Sequence, residues 1–362
     1  MDGANSSSPP IKLFNAHNVT VSNLTIQNAS RLILVEDSSN ITIRNCTLMN
    51  ASLYGIDMKR TTAFTVSNNT YTTTGTFNAA GGAIRISAQV TGVTVTGNKI
   101  TFNGASKAGI GIYIFDVNNA VVSGNAVTGG SQGIGIKGYT RSVTGAQVFN
   151  NAVYYSDQSG GDGEGIEFTG WKYTPYRVSG SIHHNFIRGG PETLNAIGGY
   201  QATNSAVYNN IIIGPLLNAA IHWSTASRAG LFYGNTVYNV PIAFGVYSGC
   251  SATIRNNIVS KAEKPILLDN GSVVEDYNVF YASGASGVAR GGHTTTANPR
   301  FVSANPAGPL DVKLQTGSPA IHSGAHLSSA FAKALDPAST RFPCAVLDQI
   351  IYGWNRGAFG HK

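Results

Sequence analysis

Short stretches in which apolar and polar residues alternate run through the whole chain, and long runs with the period of an amphipathic helix are missing. Many of these stretches share a six-residue motif, which reads apolar, any residue, usually Asn or Gly, then Asn, any residue, apolar. It occurs at 66–71, 95–100, 122–127, 148–153, 182–187, 207–212, 232–237 and 254–259, with variants lacking the second Asn at 21–26 and 43–48. The motif therefore marks a repeating unit.

The second asparagines of successive motifs are separated by 29, 27, 26, 34, 25, 25 and 22 residues. Repeats of this length, built from short β-branched strands without helices, indicate a β-solenoid. Coils of a solenoid stack about 4.8 Å apart, so equivalent asparagines can hydrogen-bond from coil to coil. We predict such a row of structural side chains for Asn69, Asn98, Asn125, Asn151, Asn185, Asn210, Asn235 and Asn257, and a buried free thiol at the same place for Cys46.

The pattern over residues 15–280 resembles the right-handed parallel β-helix of the pectate-lyase-like superfamily. The resemblance implies an all-β fold, a single-stranded right-handed parallel β-helix (solenoid) of about ten coils over 1–280. Residues 281–362 are expected to form a C-terminal loop and cap region packed on the helix, with a short helical stretch at 327–335. The C-terminal end of the sequence resembles the capping segment of bacterial secreted β-helix proteins. We expect further N-terminal coils and a leader to precede this sequence in nature, and a secreted or periplasmic location.

Charge and composition limit the classes of molecule that this protein is expected to bind. The 362 residues carry a formal net charge of +7, although only 11% of them are charged, and an acidic polysaccharide or oligosaccharide is the expected partner. Lys and Arg form no cluster typical of nucleic-acid binding, and no apolar run is long enough to span a membrane. The three cysteines have neither the spacing of a metal site nor that of a disulfide framework.

A second motif in each repeat consists of a small residue, then Ile or Phe, then alternating residues, as in "GIGIK" at 133 and "GIEFT" at 165. With the isoleucines inside, its third and fifth residues should point to solvent on an open sheet. The glycines at 111, 135 and 198 should then leave a bare groove floor. The predicted catalytic residues in this groove are Tyr113, Lys137, Glu167, Tyr200 and His222. An exposed Lys137–Glu167 pair would contribute about 0–1 kcal/mol, so replacing either residue should barely change melting.

The longest coil, between Asn151 and Asn185, carries insertions on both sides of Glu167. Insertions in solenoids often lie on the binding face. Asp157, Asp162 and Glu164, with Glu167, are predicted to hold a calcium ion as a cofactor. Predicted substrate-binding residues are Arg85, Tyr139, Arg141, Trp171, Arg177 and Arg188.

The leading hypothesis is a polysaccharide lyase that cleaves a uronate-containing polymer by β-elimination. Lys137, Arg85 or calcium would neutralise the carboxylate, Lys172 or a Lys137 of depressed pKa would be the base, and Tyr113, Tyr200 or His222 the acid. Residues 163–172 resemble the calcium and base region of the alginate lyase and chondroitinase B family. That resemblance implies roles for Glu164, Glu167, Lys172 and Arg188, but the acidic spacing differs by one residue and Arg188 comes early.

Two alternatives remain open. A glycoside hydrolase would pair Glu167 with a second carboxylate, such as Asp116, Asp162 or Glu164, although the Asp-Asp pair expected of polygalacturonases is absent. A non-catalytic adhesin or phage-tail β-helix would use the same groove for binding alone.

Overall fold

A computed structural model shows a right-handed solenoid of about ten coils, each with three faces. It describes residues 1–73, 81–87, 92–103, 109–154, 163–171 and 174–361. Within each coil the polypeptide runs along a first face, turns at the asparagine motif, and then follows a second and a third face. All pairings between successive coils are parallel. The predicted fold is confirmed.

The first face is an eleven-stranded sheet: His17–Ser22, Ser39–Arg44, Thr62–Ser67, Val93–Thr96, Val121–Ser123, Val143–Phe149, Val178–His183, Ala206–Tyr208, Gly230–Tyr233, Ser251–Arg255 and Ser272–Asp276. The second face contains Asp2–Ser6, Thr70–Thr73, Lys99–Phe102, Ala126–Thr128, Ala152–Tyr154, Phe186–Arg188, Ile211–Ile213 and Val279–Tyr281. The third face contains Ile11–Phe14, Gly82–Ser87, Ile110–Phe115, Gln132–Gly138, Glu164–Gly170, Asn195–Tyr200 and Ala219–Ser224. Four longer strands bend through the second face into the third: Thr25–Glu36, Thr47–Lys59, Thr236–Val246 and Ile258–Leu268.

The asparagine row lies in the turn between the first and second faces. From Asn98 onward, the side-chain oxygen of each asparagine accepts from the backbone N–H and the side-chain amide of the asparagine one coil earlier, at 2.9–3.0 Å. Cys46 is buried and its backbone N–H donates to Asn69 at 2.9 Å, so it occupies the position that was predicted for it. The row extends one coil beyond the prediction to Asn278, whose amide donates to the Glu275 carboxylate at 2.7 Å.

The interior is a continuous stack of aliphatic side chains from all three faces, because alternate residues of every strand point inward. Larger side chains replace them in the later coils, where Phe168, Trp223, Phe232 and Phe244 are fully buried. Among the described residues, no helix has the length and apolar character to cross a membrane.

The C-terminal segment packs along the side of the solenoid. Its elements are 3-10 turns at Pro309–Val312 and Ser329–Phe331, strands Lys333–Leu335 and Val346–Asp348, and a helical turn at Gln349–Tyr352. Phe359 is buried against Phe186 and Ile211 of the second face. Arg356 donates to the carbonyl of Asn278 at 3.0 Å, which ties the segment to the last asparagine of the row.

The helical stretch predicted at 327–335 is wrong. Only Ser329–Phe331 turns, as a 3-10 helix, and Lys333–Leu335 is a strand paired antiparallel to Val346–Asp348. The Lys333 ammonium also contacts the Asp348 carboxylate at 2.9 Å. These tertiary contacts outweigh the helix propensity of Ala, Leu and Lys, which is worth only tenths of a kcal/mol per residue.

We expect Asn151→Ala to lower the free energy of unfolding by about 3 kcal/mol, because it leaves buried donors of Asn125 without their acceptor. Urea unfolding followed by circular dichroism measures the change. Asn305→Ala, at an exposed position, is the control and should stay within about 0.5 kcal/mol of wild type. Equal losses in the two variants would contradict a stabilising role for the row.

Candidate functional site

The third face aligns its predicted site residues in two rows that point away from the interior. One row runs Asp57, Arg85, Tyr113, Gly135, Glu167, Gly198, His222 and Gly245. The other includes Phe115, Lys137, Thr169 and Tyr200. The predicted placement of Tyr113 in the second row and Gly111 in the first was wrong by two residues. Ile110, Ile112 and Ile114 alternate, so two registers bury the same kind of side chain, and the strand adopts the one that pairs Ile112 with Ile84.

Tyrosine rings cover the glycines of this face. A side chain at Gly135 would meet the ring of Tyr113 at 2.8 Å, and one at Gly198 would meet the ring of Tyr200 at 2.8 Å. Gly245 lies under the ring of Tyr247 in the same way, at 2.9 Å. The prediction of a bare groove floor is therefore wrong. Each of these glycines instead makes room for a flat aromatic ring, so aromatic rings cover the third face at these positions.

Lys137 and Glu167 form a buried ion pair at the centre of this face. The ammonium lies 2.7 Å from Oε2 of Glu167, and the two residues are only 7% and 4% exposed. Gln132 donates to the same oxygen and the hydroxyl of Thr169 to Oε1. The expectation of a solvent-exposed pair is thus wrong, because neighbouring side chains cover both charged groups.

Lys137 does not have the properties of a general base. Burial by itself would lower its pKa, but the Glu167 carboxylate and the nearby Tyr113 outweigh burial and raise the pKa above its ordinary value. The ammonium also lies 4.8 Å from the centre of the Tyr113 ring. Lys137 therefore stays protonated, and the depressed pKa that a lysine base needs is not met. The other proposed base, Lys172, lies outside the described residues.

Glu164 lies on the same strand as Glu167 and is 2% exposed. Its Oε1 accepts from the Tyr200 hydroxyl at 2.6 Å and from the Asn195 amide at 3.1 Å. Burial raises the pKa of Tyr200 far above its usual value, and the negative charges of Glu164 and Glu167 raise it further. Glu164 thus accepts a hydrogen bond from the Tyr200 hydroxyl, and the charges of both carboxylates keep this phenol protonated.

His222 continues this network toward the C-terminal coils. The Asn218 amide reaches both Asn195 Oδ1, at 3.0 Å, and Nδ1 of His222, at 3.2 Å. Since an amide N–H only donates, Nδ1 accepts and the proton of the neutral imidazole lies on Nε2. Burial lowers the pKa of His222 to about 4, so the ring is neutral at pH 7. Its ring centre lies 5.4 Å from that of Tyr200 and 4.5 Å from that of Tyr247.

The side chains of Lys137, Glu164, Glu167, Tyr200 and His222 form a central cluster. A strip of aromatic side chains flanks this cluster on its other side. Phe115, Tyr139 and Trp171 follow one another edge to face, with 4.7 Å between the ring centres of the last two. Tyr139 is 48% exposed and Trp171 44%, unlike most aromatic residues of this protein. Asp116, a predicted second carboxylate, accepts from the backbone N–H groups of Tyr139 and Thr140. It holds the loop that presents Tyr139 and is occupied structurally.

The predicted arginines separate into different places. Arg85 lies on the third face beside Asp57, at 3.3 Å. Arg141 donates to the Asp116 carbonyl and Arg177 to the Ala226 carbonyl, so both are bound to main chain. Arg188 lies on the second face and donates to the carbonyl of Ala307 in the C-terminal segment. The structure does not bring these last three to Glu167 as partners.

Two of the predicted calcium ligands, Asp157 and Asp162, lie outside the described residues. The oxygens of Glu167 and Oε1 of Glu164 already accept hydrogen bonds from protein donors. Within the described parts of the sequence, no three His, Cys, Asp or Glu side chains are grouped to hold a metal ion. Calcium binding therefore remains a prediction.

Sequence reasoning missed Gln132, Asn195, Asn218 and Tyr247. A signal for the first two was present: Gln132, Glu164 and Asn195 each directly precede the small-residue–Ile motif in three successive coils. Polar residues at one position of neighbouring coils must lie side by side. Tyr247 had a weaker signal, since it follows Gly245 by two residues as Tyr200 follows Gly198.

Because the pair is buried, we expect Lys137→Ala to cost about 3–5 kcal/mol in the free energy of unfolding, since it leaves the Glu167 charge uncompensated. The control is Lys333→Ala, which breaks an ion pair of 2.9 Å whose lysine side chain is 58% exposed, and it should cost at most about 1 kcal/mol. Denaturant unfolding of both variants checks this. Similar losses would show that the burial of Lys137 has no energetic consequence.

Comparison with known proteins agrees with the coiled architecture. A family model described as a right handed beta helix region matches residues 4–100. No curated protein sequence matches this one. The surface protein and adhesin PfbA of Streptococcus pneumoniae is 11% identical, and the alignment spans 81% of the present sequence and 83% of PfbA with a TM-score of 0.43.

The A-module of the mannuronan C-5 epimerase AlgE6 of Azotobacter vinelandii is also 11% identical, and the alignment spans 80% of the present sequence and 91% of the module with a TM-score of 0.27. Identities and scores this low say nothing about activity. The matched family model and the stacked parallel coils identify the protein as a right-handed parallel β-helix protein.

Proposed function

We propose that this protein binds a saccharide polymer along its third face and hydrolyses a glycosidic bond beside Glu164 and Glu167. The observation that carries the proposal is that two buried carboxylates lie on one strand, with the Tyr200 hydroxyl donating to Glu164 at 2.6 Å and the charge of Glu167 also raising the pKa of Tyr200. Pairs of carboxylates that flank the scissile bond are the usual machinery of glycoside hydrolysis.

Charge at the centre favours hydrolysis over elimination. Lys137 matches the charge of Glu167, and Glu164 then leaves one negative charge in excess among the charged groups of the cluster. Glycoside hydrolysis passes through a positively charged, oxocarbenium-like sugar, which a net negative site stabilises. The carboxylate of a uronate, by contrast, would be repelled at this point.

The hydrogen bonds at Glu164 and Glu167 support the following roles for these residues. In the proposed reaction the hydroxyl proton that Tyr200 donates to Glu164 passes to the departing glycosidic oxygen, while the charge of Glu167, oriented by Lys137 and Thr169, stabilises the cationic sugar carbon. The bond from that carbon to the leaving oxygen breaks. Water supplies a hydroxyl to the carbon and returns a proton to the pair, which balances the reaction.

The aromatic side chains of the third face support binding of an extended saccharide. Aromatic rings offer flat apolar surfaces, and the exposed rings of Tyr139 and Trp171 lie next to the cluster. On the opposite side Tyr200, His222 and Tyr247 continue the same surface. A polymer lying along the third face would contact both groups of rings.

We expect Tyr200→Phe to lower kcat/KM on the order of 10²–10⁴-fold, because it removes the proton at Glu164 without leaving a cavity. The substrate comes from a polysaccharide panel assayed for new reducing ends and for unsaturated ends. Tyr247→Phe, whose ring also lies over a glycine, is the matched control and should remain close to wild type. Hydrolysis is the wrong reaction if only unsaturated ends form. Saccharide binding without any cleavage would instead indicate an adhesin-like binding protein.

A β-eliminating lyase is the second candidate, favoured by the neutral imidazole of His222 between two protonated tyrosines. Here His222 would take the proton and a tyrosine would protonate the leaving oxygen.

The two candidates differ in the effect of pH. A base whose pKa is about 4 works only when deprotonated, so formation of unsaturated ends should fall about tenfold per pH unit below pH 4 and stay level above it. The proposed hydrolase takes its proton from the Tyr200 hydroxyl and does not use His222, so formation of new reducing ends should not follow the titration of His222 and should persist in His222→Gln. Rate profiles of wild type and His222→Gln measure this. An elimination rate that His222→Gln leaves intact excludes His222 as the base.

A further inference from the structure

A second charged cluster lies at the N-terminal end of the third face, around Asp57. This carboxylate is fully buried, yet three cations surround it. Nε of Arg31 lies at 2.8 Å, Nε of Arg85 at 3.3 Å and the ammonium of Lys59 at 3.7 Å. One anion therefore holds three positive side chains in a fixed arrangement.

Tyr54 adds rigidity to the two arginines. Its hydroxyl accepts from Nη1 of Arg85 at 2.8 Å. The guanidinium carbons of Arg85 and Arg31 lie 4.7 and 5.7 Å from the centre of its ring. Guanidinium groups that are stacked and hydrogen-bonded lose little further freedom when they bind a ligand.

The charges of this cluster do not balance. Besides Asp57, the described acidic partner is Glu36, which lies 3.5 Å from Lys59 and 3.9 Å from Lys12. Four cations thus face two carboxylates. The side chains of Arg31, Lys59 and Arg85 remain 28%, 24% and 24% exposed, so positive groups reach solvent. A network that served stability alone would gain by matching its charges, since like charges repel.

The position of the cluster relates it to the centre of the face. Asp57, Arg85, Tyr113, Gly135 and Glu167 are successive members of one row. Arg85 and Glu167 are therefore three coils apart, about 14 Å by strand spacing. A saccharide lying along this row over Glu167 would reach the cluster several units away.

We propose that the cluster around Asp57 is a binding site for oxyanion groups of a saccharide polymer, carboxylate or sulfate, at a distance from the bond that is cleaved. The buried Asp57 anchors the cations, and the guanidinium groups of Arg31 and Arg85 provide the planar donors that oxyanions bind best. The arrangement selects an acidic polymer while the net negative centre is spared an anionic group. The location of the site relative to cleavage rests on the proposed function, but binding does not.

The test measures binding of polygalacturonate, dextran sulfate and neutral dextran to the full-length protein by titration calorimetry. Arg31→Gln and Arg85→Gln are each expected to weaken binding of an acidic polymer about tenfold, with dextran binding unchanged. Lys59→Gln, which leaves both arginines on Asp57, is a third variant with the same expected direction. The matched control, Arg290→Gln, removes the same charge from an exposed position and should have little effect. Thermal melting confirms that each variant is folded.

The carboxylate and sulfate polymers tell which oxyanion the site prefers. Tighter binding of either one, lost in the three cluster variants but kept in Arg290→Gln, supports the proposal. Equal losses in all four variants would mean that affinity follows net charge alone, and no acidic-polymer binding by wild type would mean that there is no such site; either result overturns it. A wild type that binds acidic polymers through this cluster but cleaves none refutes the hydrolase and leaves this site standing.

Discussion

Hydrogen bonds between asparagine side chains in successive coils are the constraint on which the rest of this molecule depends. Each amide both donates to and accepts from its neighbours at 2.9–3.0 Å, so the row admits one spacing and one register between coils. A slip of one residue in any coil would expose the inward side chains and bury the outward ones. The alignment of Lys137, Glu167, Tyr200 and His222 across four coils follows from this register.

The rigidity of the coils permits a polar network that a looser scaffold would not hold. Glu164 and Glu167 are almost wholly buried, and buried charges are tolerated only with well-placed partners. Thr169 of the same strand is one partner, and others come from neighbouring coils: Lys137 from the preceding one and Tyr200 from the next. Side chains on regular strands are held in place more precisely than side chains on loops, and a reaction centre requires this precision.

Much of the architecture could be predicted because stacking repeats the same physical requirement in every coil. The eight predicted asparagines and Cys46 lie in one row since each must satisfy the same turn. Asn278 escaped prediction because Tyr277 precedes it where other coils have mostly Asn or Gly, although Tyr277 adopts the same positive φ of 59°. The site was harder to predict than the fold. The convergence of Lys137 and Glu167 follows from period-two alternation, but their burial depends on side-chain torsions, such as the one that turns Tyr113 over Gly135 of the next coil, and alternation does not specify torsions.

The asparagine row also has an electrical direction. From Asn69 to Asn257, the amide of each asparagine donates one hydrogen bond to the side-chain oxygen of the next asparagine, and each side-chain oxygen accepts from the preceding coil, so the amide dipoles of the nine asparagines from Asn69 to Asn278 align head to tail. Aligned dipoles accumulate partial charge at their ends, as they do in an α-helix. The positive end falls at Asn278, where the Glu275 carboxylate accepts its amide at 2.7 Å. The last coil thus places a negative charge where the dipoles of all the others favour one, and the two ends of this protein are electrically unlike.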